Sequence, residues 1–186
     1  AWTLSPWCGR AALPVLGWLC AYSWAKRFTW AAHLWLGSCL GLAAPAAWIA
    51  VRGAPGPGMM PTLWMCAGVI LWVTGFDLIY SSQDAKADRD QGLHSVPGRF
   101  GIRTALAASR ALHAGAFLAL ATALWTAGAG IWAACGLGVM GSLLVWQHVL
   151  VRGADLTRVN RAFFTANGWA GVAFFTGLAM GMEGVV

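Results

Sequence analysis

A chain of 186 residues that is 59% hydrophobic and only 10% charged, with mean hydropathy +0.65, is excluded from the soluble domains, which carry about 25% charged residues. Twelve Lys and Arg against six Asp and Glu give a net charge of +6. In so apolar a chain that excess reads as loop charge on a membrane protein, not as a nucleic-acid surface.

In chain order, six apolar runs are long enough to cross a ~30 Å hydrocarbon core: residues 8–25, 32–51, 62–83, 103–126, 130–150 and 160–182. The turn-rich stretches "GAPGPGMMPT", "QGLHSVPGRFG", "GAG" and "RGADLTR" separate the later ones. Thirteen Trp suit the membrane–water interfaces. Gly37 with Gly41, and Gly177 with Gly181, have the small-x-x-x-small spacing that lets membrane helices approach closely. Cys8, Cys20, Cys39, Cys66 and Cys135 lack C-x-x-C spacing and read as small buried hydrophobes. Asn160 is placed to cap the last run. The predicted fold is all-α, a polytopic transmembrane bundle with residues 1–186 as a single membrane domain.

Charge orients the bundle. Lys26, Arg27, Lys86, Arg89, Arg99, Arg103, Arg110, Arg152, Arg158 and Arg161 fall on or near one set of connections, and only Arg10 and Arg52 fall on the other. Basic residues collect in cytoplasmic loops, so the first set is predicted to face the cytoplasm.

The acids are more unusual. Four of the six lie between residues 77 and 90, and Asp77 stands inside an apolar run. An ionisable residue at membrane depth is expensive and usually functional. Wound at about 100° per residue, Asp77, Tyr80, Asp84 and Asp88 share a wedge about 80° wide, with Lys86 and Asp90 facing away. Like charges one turn apart repel, so the stripe is predicted to hold a cation and not merely to face water. Carboxylates without His or Cys nearby in sequence suit Mg²⁺ or Ca²⁺. Lys86, Arg89, Arg99 and Arg103 in the same loop, with Lys26 and Arg27 on the same face, could hold a phosphate. A metal–diphosphate site for a lipid-borne substrate is the expectation. His94 reads as a loop residue or phosphate contact. His33, His113 and His148 read as satisfied by packing and backbone.

The stretch "DLIYSSQDAKADRDQGLHSVPGRFG" resembles the second aspartate-rich motif of the UbiA-type membrane prenyltransferases, D-x-x-Y-x-x-x-D-x-x-x-D. Here the pattern falls on Asp77, Tyr80, Asp84 and Asp88, followed by a G-[LI]-x-S tail at Gly92, Leu93, His94 and Ser95. "AYSWAKRFTW" is similar to a Y-x-x-x-K-R-[FV]-T stretch of the 4-hydroxybenzoate polyprenyltransferase branch, and "VNRAFFTANG" to the start of that branch's last helix. The resemblance implies six spans of a nine-helix fold and Mg²⁺ held by Asp77, Asp84 and Asp88. It implies catalytic roles for Asp84, Asp88 and Tyr80. Lys26, Arg27, Lys86, Arg89, His94, Ser95 and Arg99 are then expected to bind diphosphate. Trp72, Phe76 and Tyr80 are placed to face an allylic cation.

The implied reaction moves a polyprenyl group from an isoprenoid diphosphate to an aromatic acid such as 4-hydroxybenzoate in quinone synthesis. A naphthoate acceptor in menaquinone synthesis is the alternative. A bacterial inner membrane is the expected location. The family's first motif, N-D-x-x-D-x-x-x-D, has no counterpart, since no Asp or Glu precedes Asp77. The chain is therefore expected to lack the first three helices of the longer fold. A cation transporter component and a non-catalytic membrane remnant are the rival readings.

Overall fold

Lipid offers no hydrogen bonds, so each apolar run must pair its backbone groups within itself, and a helix does so. The computed structural model describes residues 1–182, and all six predicted runs fold as helices. Helix α1 spans Pro6–Ala21. Its start is set by Ser5, whose hydroxyl accepts from the Cys8 N–H at 3.1 Å, and by Pro6 in the first turn. A 3₁₀ turn (Tyr22–Trp24) and the single turn α2 (Ala25–Phe28) close that hairpin. Then α3 (Ala32–Gly41) and α4 (Ala43–Arg52) form one span broken at Leu42. Next, α5 runs over Met60–Ser81, continued by a 3₁₀ turn (Ser82–Asp84) and α6 (Ala85–Asp90). After the short α7 (Val96–Phe100) come α8 (Ile102–Thr126) and α9 (Ile131–Leu150). A π-helical turn (Arg161–Ala166) leads into α10 (Asn167–Gly181).

Four segments are long and apolar enough to cross a membrane unaided: Ala32–Arg52, Met60–Asp90, Ile102–Thr126 and Ile131–Ala154. The first predicted span is shorter, with 16 residues in α1, and the last is split between the π turn and α10. The outer surface carries Leu13, Val51, Leu118, Trp125, Ile131 and Phe175, each more than 65% exposed. In water such a surface would aggregate. In a bilayer it is the lipid contact, and the chain is an integral membrane protein.

Packing follows the glycines. A Cβ at Gly37 would lie 2.5 Å from the Ile70 carbonyl oxygen, so α3 crosses α5 with its backbone almost in contact. A Cβ at Gly177 would lie 2.6 Å from the Gly136 Cα, which sets the same close approach between α10 and α9. Both predicted small-residue pairs are therefore helix seams. Trp18 and Trp35 stack at 4.3 Å, and Trp18 Nε1 donates to the Ser38 hydroxyl at 2.8 Å, fastening α1 to α3. One buried cluster joins α8, α9 and α10 through Leu120, Leu124, Leu137, Met140, Leu144 and Phe174.

Two expectations change. Asn160 makes no capping bond, because a π turn begins there with ordinary helical angles at Asn160 itself. Of the five cysteines only Cys66 is buried, while Cys20 and Cys135 are exposed. In a bundle bathed by lipid, an apolar residue need not be internal.

Candidate active site at the aspartate end of the bundle

The three connections expected on one face do meet. The His94 N–H donates to the Lys26 carbonyl at 2.6 Å, tying the tail of the aspartate motif to α2. Ile79, Leu106, Leu150, Val151, Val159 and Ala162 form a buried cluster that joins α5, α8 and the approach to α10 at the same end.

The aspartates do not form the single stripe predicted for an unbroken helix. Residues Ser82–Asp84 are 3₁₀, which advances about 120° per residue instead of about 100°. Three such residues overwind the chain by about 60°, so Asp88 is carried round relative to Asp84. Asp84 is exposed and Asp88 is buried. Among the described residues, no three His, Cys, Asp or Glu side chains converge on a point that would hold a metal ion. The expected trio of ligands is thus brought to one end of the bundle but not to one centre.

Each inner carboxylate has its own partner. Asp88 receives the Lys26 ammonium at 3.1 and 3.2 Å. The Lys26 side chain stays 35% exposed while that of Asp88 is 6% exposed, so the ammonium is the cation that the buried carboxylate requires. Asp77 pairs with buried His33, Nδ1 to Oδ2, at 2.6 Å. The Val96 N–H donates to His33 Nε2 at 3.4 Å. That ring nitrogen therefore carries the lone pair, and Nδ1 carries the proton given to Asp77. His33 so links the α5 carboxylate to the start of α7. Its expected role as a residue satisfied by packing and backbone is corrected: its main partner is a carboxylate 44 residues away. Asp84 takes part in neither of the two ion pairs among the described residues.

The remaining predicted residues separate into a rim and a scaffold. Arg27, Lys86, Arg89, His94 and Arg99 are exposed around the same end, with the Arg99 guanidinium 5.8 Å from the Phe100 ring centre. Ser95 is not on the rim. It is fully buried, and its hydroxyl accepts from the Gly98 N–H at 3.1 Å as the cap of α7. The expected diphosphate contact at Ser95 is replaced by a structural one, because the α7 start needs an acceptor for its unpaired N–H groups.

Tyr80 heads an aromatic ladder. Its ring lies 4.3 Å from Phe163 and 6.1 Å from Phe164; Phe76 lies 5.3 Å from Phe163 and 6.3 Å from Trp72. Trp72 Nε1 donates to Asn167 Oδ1 at 2.7 Å, locking α5 to α10. Phe163 and Phe164 sit in the π turn, a distortion found often at functional sites. Sequence reasoning reached Trp72, Phe76 and Tyr80 but missed the two Phe of "AFFT", whose adjacency to Tyr80 is purely tertiary.

A model of the UbiA prenyltransferase family matches residues 1–171. The chain belongs to the UbiA prenyltransferase family. Among curated relatives, a 4-hydroxybenzoate octaprenyltransferase of Xanthomonas oryzae pv. oryzae is 35% identical over 164 residues, covering 86% of this chain and 52% of that protein. One of the same name from Aromatoleum aromaticum is 28% identical over 179 residues, covering 95% and 58%. The chain thus spans about half the length of the curated relatives it matches. Among solved structures, the apo structure of a UbiA homolog from Aeropyrum pernix superposes with a TM-score of 0.85 at 30% identity, over 97% of this chain and 66% of that one. Family membership and fold agree with the resemblance of the aspartate motif.

Proposed function

We propose that this UbiA-family chain carries the diphosphate-ionising half of a site that transfers a polyprenyl group to an aromatic acid of the 4-hydroxybenzoate type. The observation that carries the reading is the sequence of groups along α5 and α6. An aromatic ladder ends at Tyr80, exposed Asp84 follows one turn later, and buried Asp88 follows one turn after that with the Lys26 ammonium on it. The names of the curated relatives support the acceptor class.

Magnesium fits this donor set. Asp84 and Asp88 offer only carboxylate oxygens, and Mg²⁺ commonly takes one or two carboxylates and completes its shell with water and substrate phosphate. When bound, it supplies charge neutralisation to the departing diphosphate. The side chains of this chain do the rest. Lys26, with a third of its side chain exposed, is placed to exchange the Asp88 carboxylate for a diphosphate oxygen. Arg27, Lys86, Arg89 and Arg99 supply further positive charge around it. The Tyr80, Phe76 and Phe163 faces stabilise the allylic cation left when the carbon–oxygen bond breaks, and their apolar wall keeps water from capturing it. Diphosphate leaves with the bonding pair, the acceptor ring forms the new carbon–carbon bond, and the ring then loses the proton from the attacked carbon. This reading puts the aspartate end on the cytoplasmic side of a bacterial inner membrane, supported by the predominance of basic residues on the loops of that end.

The test is prenyl transfer measured in membranes carrying Asp84→Asn or Asp88→Asn, with 4-hydroxybenzoate and a hydroxynaphthoate offered in parallel. Loss of about 100-fold or more is expected at either position. Chelation should stop the reaction and added Mg²⁺ restore it. Wild-type rates in both variants would remove the assignment.

A further inference from the structure

On α8 and α9, away from the aspartate motif, lies a cavity of about 1000 Å³. Arg110 and Arg152 line it along with His148, and Phe117, Leu118 and Val145 supply apolar wall. From Gly138 to His148 the groove follows α9 for about 15 Å, the rise of ten helical residues. The arginines lie toward the same end of the bundle as Asp84 and Asp88; Gly138 lies toward the other.

The charged groups of this groove lack a partner within the protein. Both arginines are exposed, and neither takes part in an ion pair among the described residues. Arg110 stands inside the span Ile102–Thr126, where an uncompensated guanidinium is costly. His148 lines the groove without offering it that kind of group. The Trp72 carbonyl can only accept, so its 3.3 Å contact with His113 Nε2 puts the proton there. The neutral His113 ring then accepts through Nδ1 from His148 Nε2–H at 2.9 Å. That leaves His148 Nδ1 as a bare acceptor, and it is buried without a hydrogen-bond partner. Closed to solvent beside an open groove, this nitrogen faces the protein interior, and the two guanidinium groups are what the groove offers an anion.

We propose that the α8–α9 groove binds an anionic phospholipid, with phosphatidylglycerol as the chemical type. The phosphate lies between Arg110 and Arg152, and an acyl chain runs past Val145, Phe117 and Leu118 toward Gly138. A single-ring aromatic acid shares the anion but would leave most of the volume empty; the size and lateral apolar wall select the lipid. Charge complementarity and the leaflet position of the arginines agree, since anionic lipid head groups lie at that depth. The groove is separate from the prenyl-transfer site and does not depend on that assignment.

The test uses the chain purified from membranes in mild detergent, with retained lipid counted by native mass spectrometry. Phosphatidylglycerol, phosphatidic acid and phosphatidylcholine of identical acyl composition serve as probes, and 4-hydroxybenzoate as competitor. Phosphatidylglycerol should bind at least about tenfold tighter than phosphatidylcholine, the scale of one charge-assisted hydrogen bond. The double variant Arg110→Gln, Arg152→Gln should lose that preference. Phosphatidic acid should be retained as phosphatidylglycerol is, since the phosphate is the group recognised. A Cβ at Gly138 meets nothing within 4 Å, so Gly138→Leu should fill the groove, abolish retention and leave the melting temperature unchanged. This last variant tests the site even if the arginine variant fails to fold. Equal binding of phosphatidylglycerol and phosphatidylcholine overturns the proposal. So does undiminished retention in Gly138→Leu, or displacement of the lipid by 4-hydroxybenzoate.

Discussion

His33 Nδ1 lies 2.6 Å from Asp77 Oδ2 and joins the second span to the third across 44 residues of sequence. The contact explains how an apolar helix tolerates a carboxylate: the charge has a proton donor beside it, and the far side of the same ring accepts from the Val96 backbone. Asp77 is thereby made part of the scaffold that sets where the aspartate motif ends and α7 begins.

Replacing His33 by Phe keeps the volume roughly and removes the donor. The variant should lose about 1–3 kcal/mol of stability, the cost of stranding a buried polar group. Adding Asp77→Asn should return part of it, because the stranded group is then neutral. Melting temperatures of the two single variants and the double variant in detergent give the coupling. Simple additivity would show that the contact carries no energy.

Lys26→Met should leave Asp88 buried without its cation. A loss of about 1–2 kcal/mol is expected, less than for a fully buried pair because the Lys26 ammonium is partly exposed to solvent. Lys26→Arg should keep stability, since a guanidinium also pairs with the carboxylate, but should change the Michaelis constant for the prenyl donor. Separate measurement of thermal stability and of transfer kinetics distinguishes the two roles.

The aromatic ladder predicts a dependence on ring faces. Tyr80→Leu and Phe163→Leu should each slow prenyl transfer by about tenfold or more, while Tyr80→Phe should stay within a few-fold of wild type. A desolvated cation–π contact is worth about 2 kcal/mol, and the phenol oxygen adds nothing to the ring face. If Tyr80→Phe is as slow as Tyr80→Leu, the hydroxyl and not the face is at work.

Ser95→Ala tests capping against ligand binding. Loss of the cap should lower stability by about 0.5–2 kcal/mol, with transfer per folded molecule and the donor Michaelis constant unchanged. Ser95→Asp should restore most of the stability. A raised Michaelis constant at unchanged stability would return Ser95 to the substrate.

The sequence by itself determined the membrane class, six helical runs, the two glycine seams and the motif that places the chain among the UbiA prenyltransferases. These are legible because they rest on composition, on spacing within one helix and on residue types in a fixed local order. The 3₁₀ turn at Ser82–Asp84 escaped that reading, since an unbroken helix was the only winding the local pattern offered. The tertiary structure alone decided the partners. Lys26 holds Asp88 across 62 residues, His33 holds Asp77, Phe163 meets Tyr80, and His148 is left with an unpartnered nitrogen. A buried charge or lone pair states a need for a partner, but which residue meets it depends on how helices distant in sequence cross, and no local periodicity encodes that crossing.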